Sequence, residues 1–212
     1  MKEKIIVIGS GGHARSVIDA LLDNGSFDVI GVVSSDKEEW DGYRGIPWLG
    51  DDSAAKRIYE QGCSLAALGI GFLGGSSRLR EELVNYYETQ GFVFPTIVDP
   101  SSIVSAGADI GKGVFLGKGC IINANVSVGD YAIINSGALV EHDCTVGEFS
   151  HVAVRACLCG GVSVGGYSLI GANATVLQQK AVGSFAIVGA GALVISSVPD
   201  GVQAIGLFKG IE

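Results

Sequence analysis

Two of the three histidines in this 212-residue chain lie close together, in a stretch otherwise built from small and aliphatic residues. The stretch is ALVEHDCTVGEFSHV (138–152), in which His142 stands between Glu141 and Asp143, and His151 follows nine residues later. A carboxylate beside an imidazole raises its basicity and fixes its tautomer, as a general base near neutral pH requires. The pattern therefore indicates acid–base chemistry, with a solvated surface histidine as the alternative.

A second candidate site is the glycine-rich segment IGSGGHAR (8–15), which follows an apolar run and opens a helical pattern. Gly9, Gly11 and Ala14 fit the spacing G-x-G-x-x-A, in which backbone N–H groups and the helix dipole hold a phosphate. Only about 95 residues accompany this loop before the sequence changes character, fewer than a full dinucleotide-binding fold needs. An NAD-dependent enzyme is therefore not expected.

The elements around the glycine loop alternate between strand and helix patterns. Apolar runs predict three buried strands, and amphipathic segments predict three helices. Strand and helix in alternation imply a parallel sheet with right-handed crossovers. We expect a Rossmann-like α/β domain over residues 1–95, with strands at 4–9, 29–34 and 65–71 and helices at 13–25, 53–62 and 76–91.

From residue 96 the helix patterns end and a period of six begins. Every sixth residue is Val, Ile or Leu, seventeen times without a break, which identifies an internal repeat. The residue two positions earlier is mostly small, and the residue directly after is often Gly. The repeating aliphatics are Val98, Val104, Ile110, Leu116, Ile122, Val128, Ile134, Val140, Val146, Val152, Leu158, Val164, Ile170, Val176, Val182, Val188 and Val194.

A short strand and a turn repeated every six residues predict a coil with flat faces. The repeating aliphatic points inward, the small residue occupies a tight corner, and Gly relieves backbone strain at the bend. No repeat buries its apolar face alone, so stability comes from the stacking of coils. Because Val140, Val146 and Val152 point inward, His142 and His151 are predicted to project outward.

This pattern, [LIV]-G-x-x-x-x, resembles the hexapeptide repeat of left-handed parallel β-helix acyltransferases. The resemblance implies that residues 96–212 form a left-handed β-helix with three hexads in each coil and that this range ends in a short C-terminal tail. It also implies a homotrimer that binds acyl-CoA in the groove between neighbouring β-helices.

The α/β domain, the repeat and the segment EHDC-x-x-GEFSHV together resemble the bacterial sugar acetyltransferases. These include N-acetyltransferases of nucleotide-linked 4-amino-4,6-dideoxy sugars, such as the bacillosamine-pathway type, and sialic acid O-acetyltransferases. The resemblance implies that His142 takes the proton from the sugar amine and that Asp143 raises its basicity. Glu141 is the substitute if Asp143, shorter than the Glu often found there, does not reach the ring.

The same resemblance implies acetyl-CoA as co-substrate and a UDP-linked amino sugar as the favoured acceptor, in the synthesis of a bacterial surface glycan or glycoprotein. O-acetylation of sialic acid stays open as the alternative. The implied acetyl-CoA contacts are His151 and the backbones of Ala172 and Ala190. The implied nucleotide-sugar contacts follow the three predicted strands and are Gly11, Gly12, His13, Ser34, Ser35, Asp36 and Gly71. For His13, a helix-terminus residue without a ligand is the alternative.

The composition argues against several other classes of function. The net charge of −8 disfavours binding to nucleic acid or to anionic membranes, and no apolar run reaches the roughly 18 residues that cross a bilayer. Five cysteines without framework spacing are expected to be reduced thiols in a cytoplasmic protein. No metal is expected, because the repeat has two histidines where β-helix carbonic anhydrases need three. A non-catalytic β-helix scaffold would leave the glycine loop and the acid-flanked histidine unexplained.

Overall fold

The computed structural model describes residues 2–72, 74 and 78–210, which form two compact units. The first unit consists of residues 2–71 and 78–100, and the second contains Phe72, Gly74 and residues 101–210. None of the described helices, which run to 13 residues at most, is long and apolar enough to cross a membrane.

The first unit is built on a parallel sheet, and its α/β prediction is confirmed. The sheet strands are β1 Glu3–Ile8, β2 Phe27–Val33, β3 Trp48–Gly50 and β4 Leu65–Leu68, in the order β3-β2-β1-β4. The other elements of the unit are helices α1 Gly12–Asn24, α2 Ala55–Glu60 and α3 Leu79–Thr89, 3₁₀ turns Tyr43–Gly45 and Asp52–Ala54, and a two-residue strand, β5 Ile97–Val98.

Helix α1 shows how the sequence sets these elements. Val17, Ile18 and Leu21 are spaced for one helical face and are fully buried. The helix ends at Gly25, whose φ of 73° is left-handed and whose N–H donates to the carbonyl of Leu21 at 3.1 Å. The helix predicted over residues 13–25 is therefore confirmed, with bounds Gly12–Asn24.

Two details of this unit differ from the predicted pattern. Strand β3 was not predicted, because three half-buried residues are too few to show alternation. The predicted helix 76–91 begins, in the described part, at Leu79; Ser76 and Ser77 lie outside the described residues.

The second unit is a parallel β-helix made of two-residue strands. Strands one coil apart pair in register, as Ser127 does with Thr145, so one coil takes 18 residues or three hexads. The left-handed β-helix expected from the repeat is confirmed. The strands are β6 Ile103–Val104, β7 Asp109–Ile110, β8 Phe115–Leu116, β9 Ile121–Ile122, β10 Ser127–Val128, β11 Ile133–Ile134, β12 Leu139–Val140, β13 Thr145–Val146, β14 His151–Val152, β15 Cys157–Leu158, β16 Ser163–Val164, β17 Leu169–Ile170, β18 Thr175–Val176, β19 Ala181–Val182, β20 Ile187–Val188, β21 Leu193–Val194, β22 Gln203–Ala204 and β23 Leu207–Phe208.

The repeating aliphatics form the core of the β-helix. The fourteen from Leu116 to Val194 are each at most 3% exposed. Val104 is 37% exposed because β6 pairs with a neighbour on one side only, at the open end of the coil stack. Burial of such a side chain stabilises the fold by about 1.5–3 kcal/mol before entropy is subtracted, so the stack supplies most of the cohesion of this unit.

The prediction that the glycine after each aliphatic relieves strain at the bend is wrong. Positive φ occurs instead three residues after each aliphatic, with values between 53° and 69° over fourteen consecutive hexads. These turn residues are Gly113, Gly119, Asn125, Tyr131, Gly137, Asp143, Phe149, Arg155, Gly161, Tyr167, Asn173, Gln179, Phe185 and Gly191.

On the face that carries Ser127 and Ser163, the glycine directly after the aliphatic is required for a different reason, which is close packing of neighbouring coils. A Cβ on Gly129 would lie 2.7 Å from the backbone nitrogen of Glu148, and one on Gly165 would lie 2.5 Å from that of Ser184. Backbone atoms of the next coil cannot move aside without breaking the strand pairing. At Gly129 and Gly165, therefore, only a residue without a side chain fits.

The β-helix presents three faces of different character, named here by the outward side chain of each strand. The polar face carries Asp109, Ser127, Thr145, Ser163 and Ala181. The histidine face carries Phe115, Ile133, His151, Leu169, Ile187 and Gln203. The apolar face carries Ile103, Ile121, Leu139, Cys157, Thr175, Leu193 and Leu207.

A column of aromatic rings follows one corner of the β-helix, between the polar and histidine faces. Tyr131, Phe149, Tyr167 and Phe185 occupy successive turn positions 18 residues apart, with ring centroids 4.9, 5.3 and 5.1 Å apart and nearly parallel planes. Lys112 lies over the first ring, 5.3 Å from its centroid. The column shows that side chains at equivalent turn positions stack directly on one another.

Two glycines at the same hexad position distinguish close packing from simple burial. Gly165→Ala is expected to destabilise the protein by about 1–3 kcal/mol, because its Cβ would overlap the next coil. Gly189→Ala is the matched control: its Cβ would lie 3.6 Å from the nearest atom outside its chain neighbours, and neither glycine has a positive φ. Urea unfolding of both variants measures the difference, and equal losses would contradict the packing explanation.

Candidate functional site

His142 lies at the corner between the apolar and polar faces, two residues after β12. Its Nδ1 is 2.8 Å from Oδ2 of Asp143, within hydrogen-bond distance. Asp143 is the turn residue of this hexad, with a φ of 61°, a conformation that Asp tolerates better than most residues. Both side chains are well exposed, at 62% and 56%, so the pair faces solvent rather than the core.

Glu141 contacts the backbone of His142 and not its ring. One of its carboxylate oxygens accepts a hydrogen bond from the His142 N–H at 3.2 Å. Of the two acids considered from the sequence, Asp143 is therefore the one that reaches the imidazole.

The pair has the electrostatics of a base and its partner. The hydrogen bond to Asp143 raises the pKa of His142 above 6.5, against a smaller opposing effect of burial, and the charges of Asp143 and Glu141 act in the same direction as the bond. The pKa of Asp143 is lowered, chiefly by a hydrogen bond from Asn125 and then by the one from His142. An Nδ1–H donated to Asp143 leaves the Nε2 lone pair of a neutral His142 to accept a proton.

Neighbouring coils add two residues to this site that the sequence analysis missed. Asn125, one coil earlier, donates from Nδ2 to Oδ1 of Asp143 at 2.7 Å. Gly160, one coil later, faces the imidazole, since a Cβ there would lie 2.7 Å from both Cε1 and Nε2 of His142. Both are 18 residues from the group they meet, so the length of one coil was the signal that could have found them.

His151 lies on the histidine face with Val152 inward, but it is 8% exposed and thus buried. Its Nδ1 donates to the carbonyl of Phe72 at 2.6 Å, and its Nε2 accepts from Nδ2 of Asn135 at 3.1 Å. Gly74 also lies against this face, because a Cβ there would be 3.0 Å from Ile187. The outward direction predicted for His151 holds, while the ring is fixed by protein groups on both sides.

Ala172 and Ala190 are stacked one coil apart at the corner between the histidine and apolar faces. The carbonyl of Ala172 accepts a hydrogen bond from the N–H of Gly191 at 2.8 Å. A Cβ placed on Gly171 would lie 2.5 Å from the backbone nitrogen of Ala190. This corner and the one that carries His142 are opposite edges of the apolar face. One chain alone therefore does not bring these alanines to His142.

The glycine loop of the first unit has an open turn at the carboxyl end of β1. Gly9 has a φ of 114° and donates to the carbonyl of Val33 at 2.7 Å, which fixes the tight turn. Gly11 is the N-cap of α1, and both Gly11 and Gly12 are exposed with no atom near the position of a Cβ. The first N–H groups of α1 are thus accessible to an anion.

The other predicted contacts of the first unit lie at the carboxyl ends of neighbouring strands. Ser34, after β2, is buried and donates from Oγ to the carbonyl of Asp36 at 3.1 Å, whereas Ser35 and Asp36 are exposed. Gly71, after β4, lies against His13, with 3.7 Å from a Cβ position to the Cβ of His13. The chain order reverses between β1 and β4, and open α/β sheets bind ligands at such a switch point.

The thiols and carboxylates of the described residues form no cluster of three or more groups suited to a metal ion. The five cysteines are all free. Burial, and then the neighbouring Cys159, raise the pKa of Cys157 to about 11, so this thiol is not a reactive thiolate near neutral pH.

Comparison with known proteins connects both units to one group of enzymes. Residues 4–87 match the family described as the PglD N-terminal domain, and residues 107–142 match the bacterial transferase hexapeptide family (six repeats). The chain is 38% identical to a variant of perosamine N-acetyltransferase from Caulobacter crescentus solved with CoA and GDP-perosamine, with a TM-score of 0.89 over 98% of this chain and 97% of that one. It is 29% identical to the acetyltransferase domain of PglB from Neisseria gonorrhoeae in complex with acetyl coenzyme A, with a TM-score of 0.86 over 97% of each chain. A comparison with curated proteins gave no match.

The titration of His142 tests the geometry of the pair without any assay of function. We expect an imidazole pKa above 6.5 in the wild type and a fall toward 6.5 in Asp143→Asn, because the hydrogen bond to Asp143 is the largest cause of the rise. Glu141→Gln, the control, removes only a more distant charge and should lower the pKa less. NMR titration reports the values, with the His142 signal identified by its absence in His142→Ala. Equal falls in both variants would contradict the assignment of Asp143.

Proposed function

We infer that this chain, which belongs to the left-handed β-helix sugar acetyltransferases of bacteria, transfers the acetyl group of acetyl-CoA to the 4-amino group of a nucleotide-linked 4-amino-4,6-dideoxy sugar. The observation that carries this proposal is the 2.8 Å contact between His142 Nδ1 and Asp143, which leaves Nε2 as a proton acceptor. A non-catalytic scaffold has no need of such a pair.

In the proposed reaction His142 acts as general base and Asp143 as its partner. The sugar nitrogen attacks the thioester carbonyl, the C–N bond forms, the C–S bond breaks, and CoA leaves as a thiolate that the imidazolium of His142 then protonates to the free thiol. His142 Nε2 takes the proton that the nitrogen loses, and the thioester is reactive enough that alignment supplies much of the remaining acceleration. Because the neutral imidazole is the active form, activity should rise as pH increases through the raised pKa of His142.

The nucleotide of the acceptor is proposed from the relatives. The resemblance to the sugar acetyltransferases implies a UDP-linked sugar, whereas a relative 38% identical to this chain was solved with GDP-perosamine. We place GDP ahead of UDP on that basis. Gly11, Gly12, His13, Ser34, Ser35, Asp36 and Gly71 are the proposed nucleotide-sugar contacts.

The proposed acetyl-CoA site requires more than one copy of the chain. Ala172 and Ala190 are proposed to contact acetyl-CoA through their backbones, and His151 through the edge of a ring whose nitrogens are already bonded to protein. A second copy packed on the apolar face would bring its alanines toward the His142 corner of the first. Leu193 at 39% and Leu207 at 52% exposure on this face support such packing. We therefore propose a homotrimer, in the cytoplasm, where acetyl-CoA and nucleotide sugars are made.

Release of free thiol from acetyl-CoA in the presence of different acceptors tests the activity. The acceptors are UDP-, dTDP- and GDP-linked 4-amino-4,6-dideoxy sugars, with free and CMP-linked sialic acid as the O-acetyl alternative. We expect release with one nucleotide-linked amino sugar and a loss of at least about 100-fold in His142→Ala, since a general base contributes roughly 10²–10⁴-fold.

Calorimetry of acetyl-CoA binding is the control for that variant, which should bind as the wild type does. Release with sialic acid only would place the protein in the O-acetyl branch. The absence of both release and acetyl-CoA binding would favour the scaffold.

A charge on the apolar face tests the proposed assembly. Leu193→Glu is expected to give a monomer with little activity, because it would bury an unpaired carboxylate between copies. Ser163→Glu is the matched control, because Ser163 is the first residue of a strand on the polar face. This variant should form an assembly of the same molecular mass as the wild type. Sedimentation measures both, and a wild-type protein that sediments as a monomer would contradict the proposal.

A further inference from the structure

We propose that Asn125 is a positioning residue, which holds the carboxylate of Asp143 in the orientation that serves His142. The proposal rests on the proposed function of His142 as a base. It adds a third member to the site, from a different coil of the β-helix.

Both carboxylate oxygens of Asp143 are hydrogen-bonded. Its Oδ1 accepts from Asn125 Nδ2 at 2.7 Å, and its Oδ2 faces His142 Nδ1 at 2.8 Å. Among the described residues, each carboxylate oxygen thus has its own hydrogen-bond partner. Because Oδ1 is bonded to Asn125, a rotation of the carboxylate that moves Oδ2 away from the His142 ring also breaks the hydrogen bond to Asn125.

Exposure makes this support necessary. His142 and Asp143 are 62% and 56% exposed, and neither is held in place by surrounding side chains as a buried residue is. Exposed ion pairs hold a single geometry poorly, since water competes for both partners and side-chain entropy opposes ordering. A neutral amide that binds only Asp143 restricts the carboxylate without competing for the imidazole.

The backbone keeps Asn125 in reach of Asp143. The two residues are turn residues of the same corner in successive coils, with φ of 59° and 61°. The N–H of Asp143 donates to the carbonyl of Ala124 at 3.1 Å, so the two turns are bonded next to the side-chain contact. The following turn residue of this corner is Gly161, which has no side chain to offer from the other side.

Asn125→Gly is the sharpest substitution because glycine accepts a positive φ and removes only the amide. We expect kcat to fall about tenfold, part of the roughly 10²–10⁴-fold that a general base supplies, with KM for both substrates unchanged. Asn125→Asp, which sets a second carboxylate against Asp143, should lose at least as much. Asn173→Gly is the control, because it makes the same exchange at another turn residue, with a φ of 56°. Its thermal unfolding shows how much stability the exchange itself costs.

A double-mutant cycle separates positioning from general structural damage. If Asn125 acts through Asp143, Asn125→Gly costs nothing further in an Asp143→Ala background. Wild-type kcat in Asn125→Gly, or a full additional loss in the Asp143→Ala background, would overturn the proposal.

A measurement without turnover distinguishes failure of this proposal from failure of the proposed function. In Asn125→Gly the NMR titration of His142 should move toward lower pH, because a mobile Asp143 holds Nδ1 less often. That shift would support the positioning role even if His142→Ala remained active and the base assignment were lost. An unchanged titration would overturn it whatever the enzyme's substrate.

Discussion

The registered stacking of successive coils is the constraint on which the rest of the β-helix depends. Parallel pairing places each residue over its equivalent 18 positions earlier, at the strand spacing of about 4.8 Å. Gly165 is required because the next backbone lies where its Cβ would be. Equivalent turn side chains are forced together, as the column from Tyr131 to Phe185 shows. The same rule brings Asn125 to Asp143 and Gly160 to His142.

The two histidines of the repeat show how environment separates roles. His142 is exposed and donates from Nδ1 to Asp143, which leaves the Nε2 of a neutral ring as an acceptor. His151 is buried, with Nδ1 bonded to Phe72 and Nε2 to Asn135, so neither nitrogen is available as a base. Identical side chains nine residues apart therefore have different chemistry, because His142 lies in a corner after strand β12 and His151 lies within strand β14.

The exposed pair of His142 and Asp143 obtains its geometry from the stacking of coils, which brings Asn125 to Asp143. The hydrogen bond to Asp143 is made in water, where such contacts are weakly held. The apolar face separates the His142 corner from the corner of Ala172 and Ala190 within one chain. In the proposed assembly, a second copy packed on this face would bring its alanines toward the His142 corner.

The architecture and the candidate residues of the site can be recognised from the sequence alone. The period of six required a stacked coil, the alternation of strand and helix required a parallel sheet, and an imidazole beside carboxylates indicated a base. These features are visible because they repeat or are adjacent along the chain.

Which groups come into contact, in contrast, depends on the three-dimensional fold. The choice of Asp143 over Glu141 depends on a left-handed turn that directs one carboxylate to the ring and leaves the other on the backbone. The burial of His151 depends on Phe72, 79 residues away. Strand β3 is too short to show an alternating pattern in the sequence. The role of the glycines was predicted wrongly because the sequence does not show whether a glycine is needed for a positive φ or for the close approach of another backbone segment. Contacts across coils arise from three-dimensional register, which local sequence does not encode.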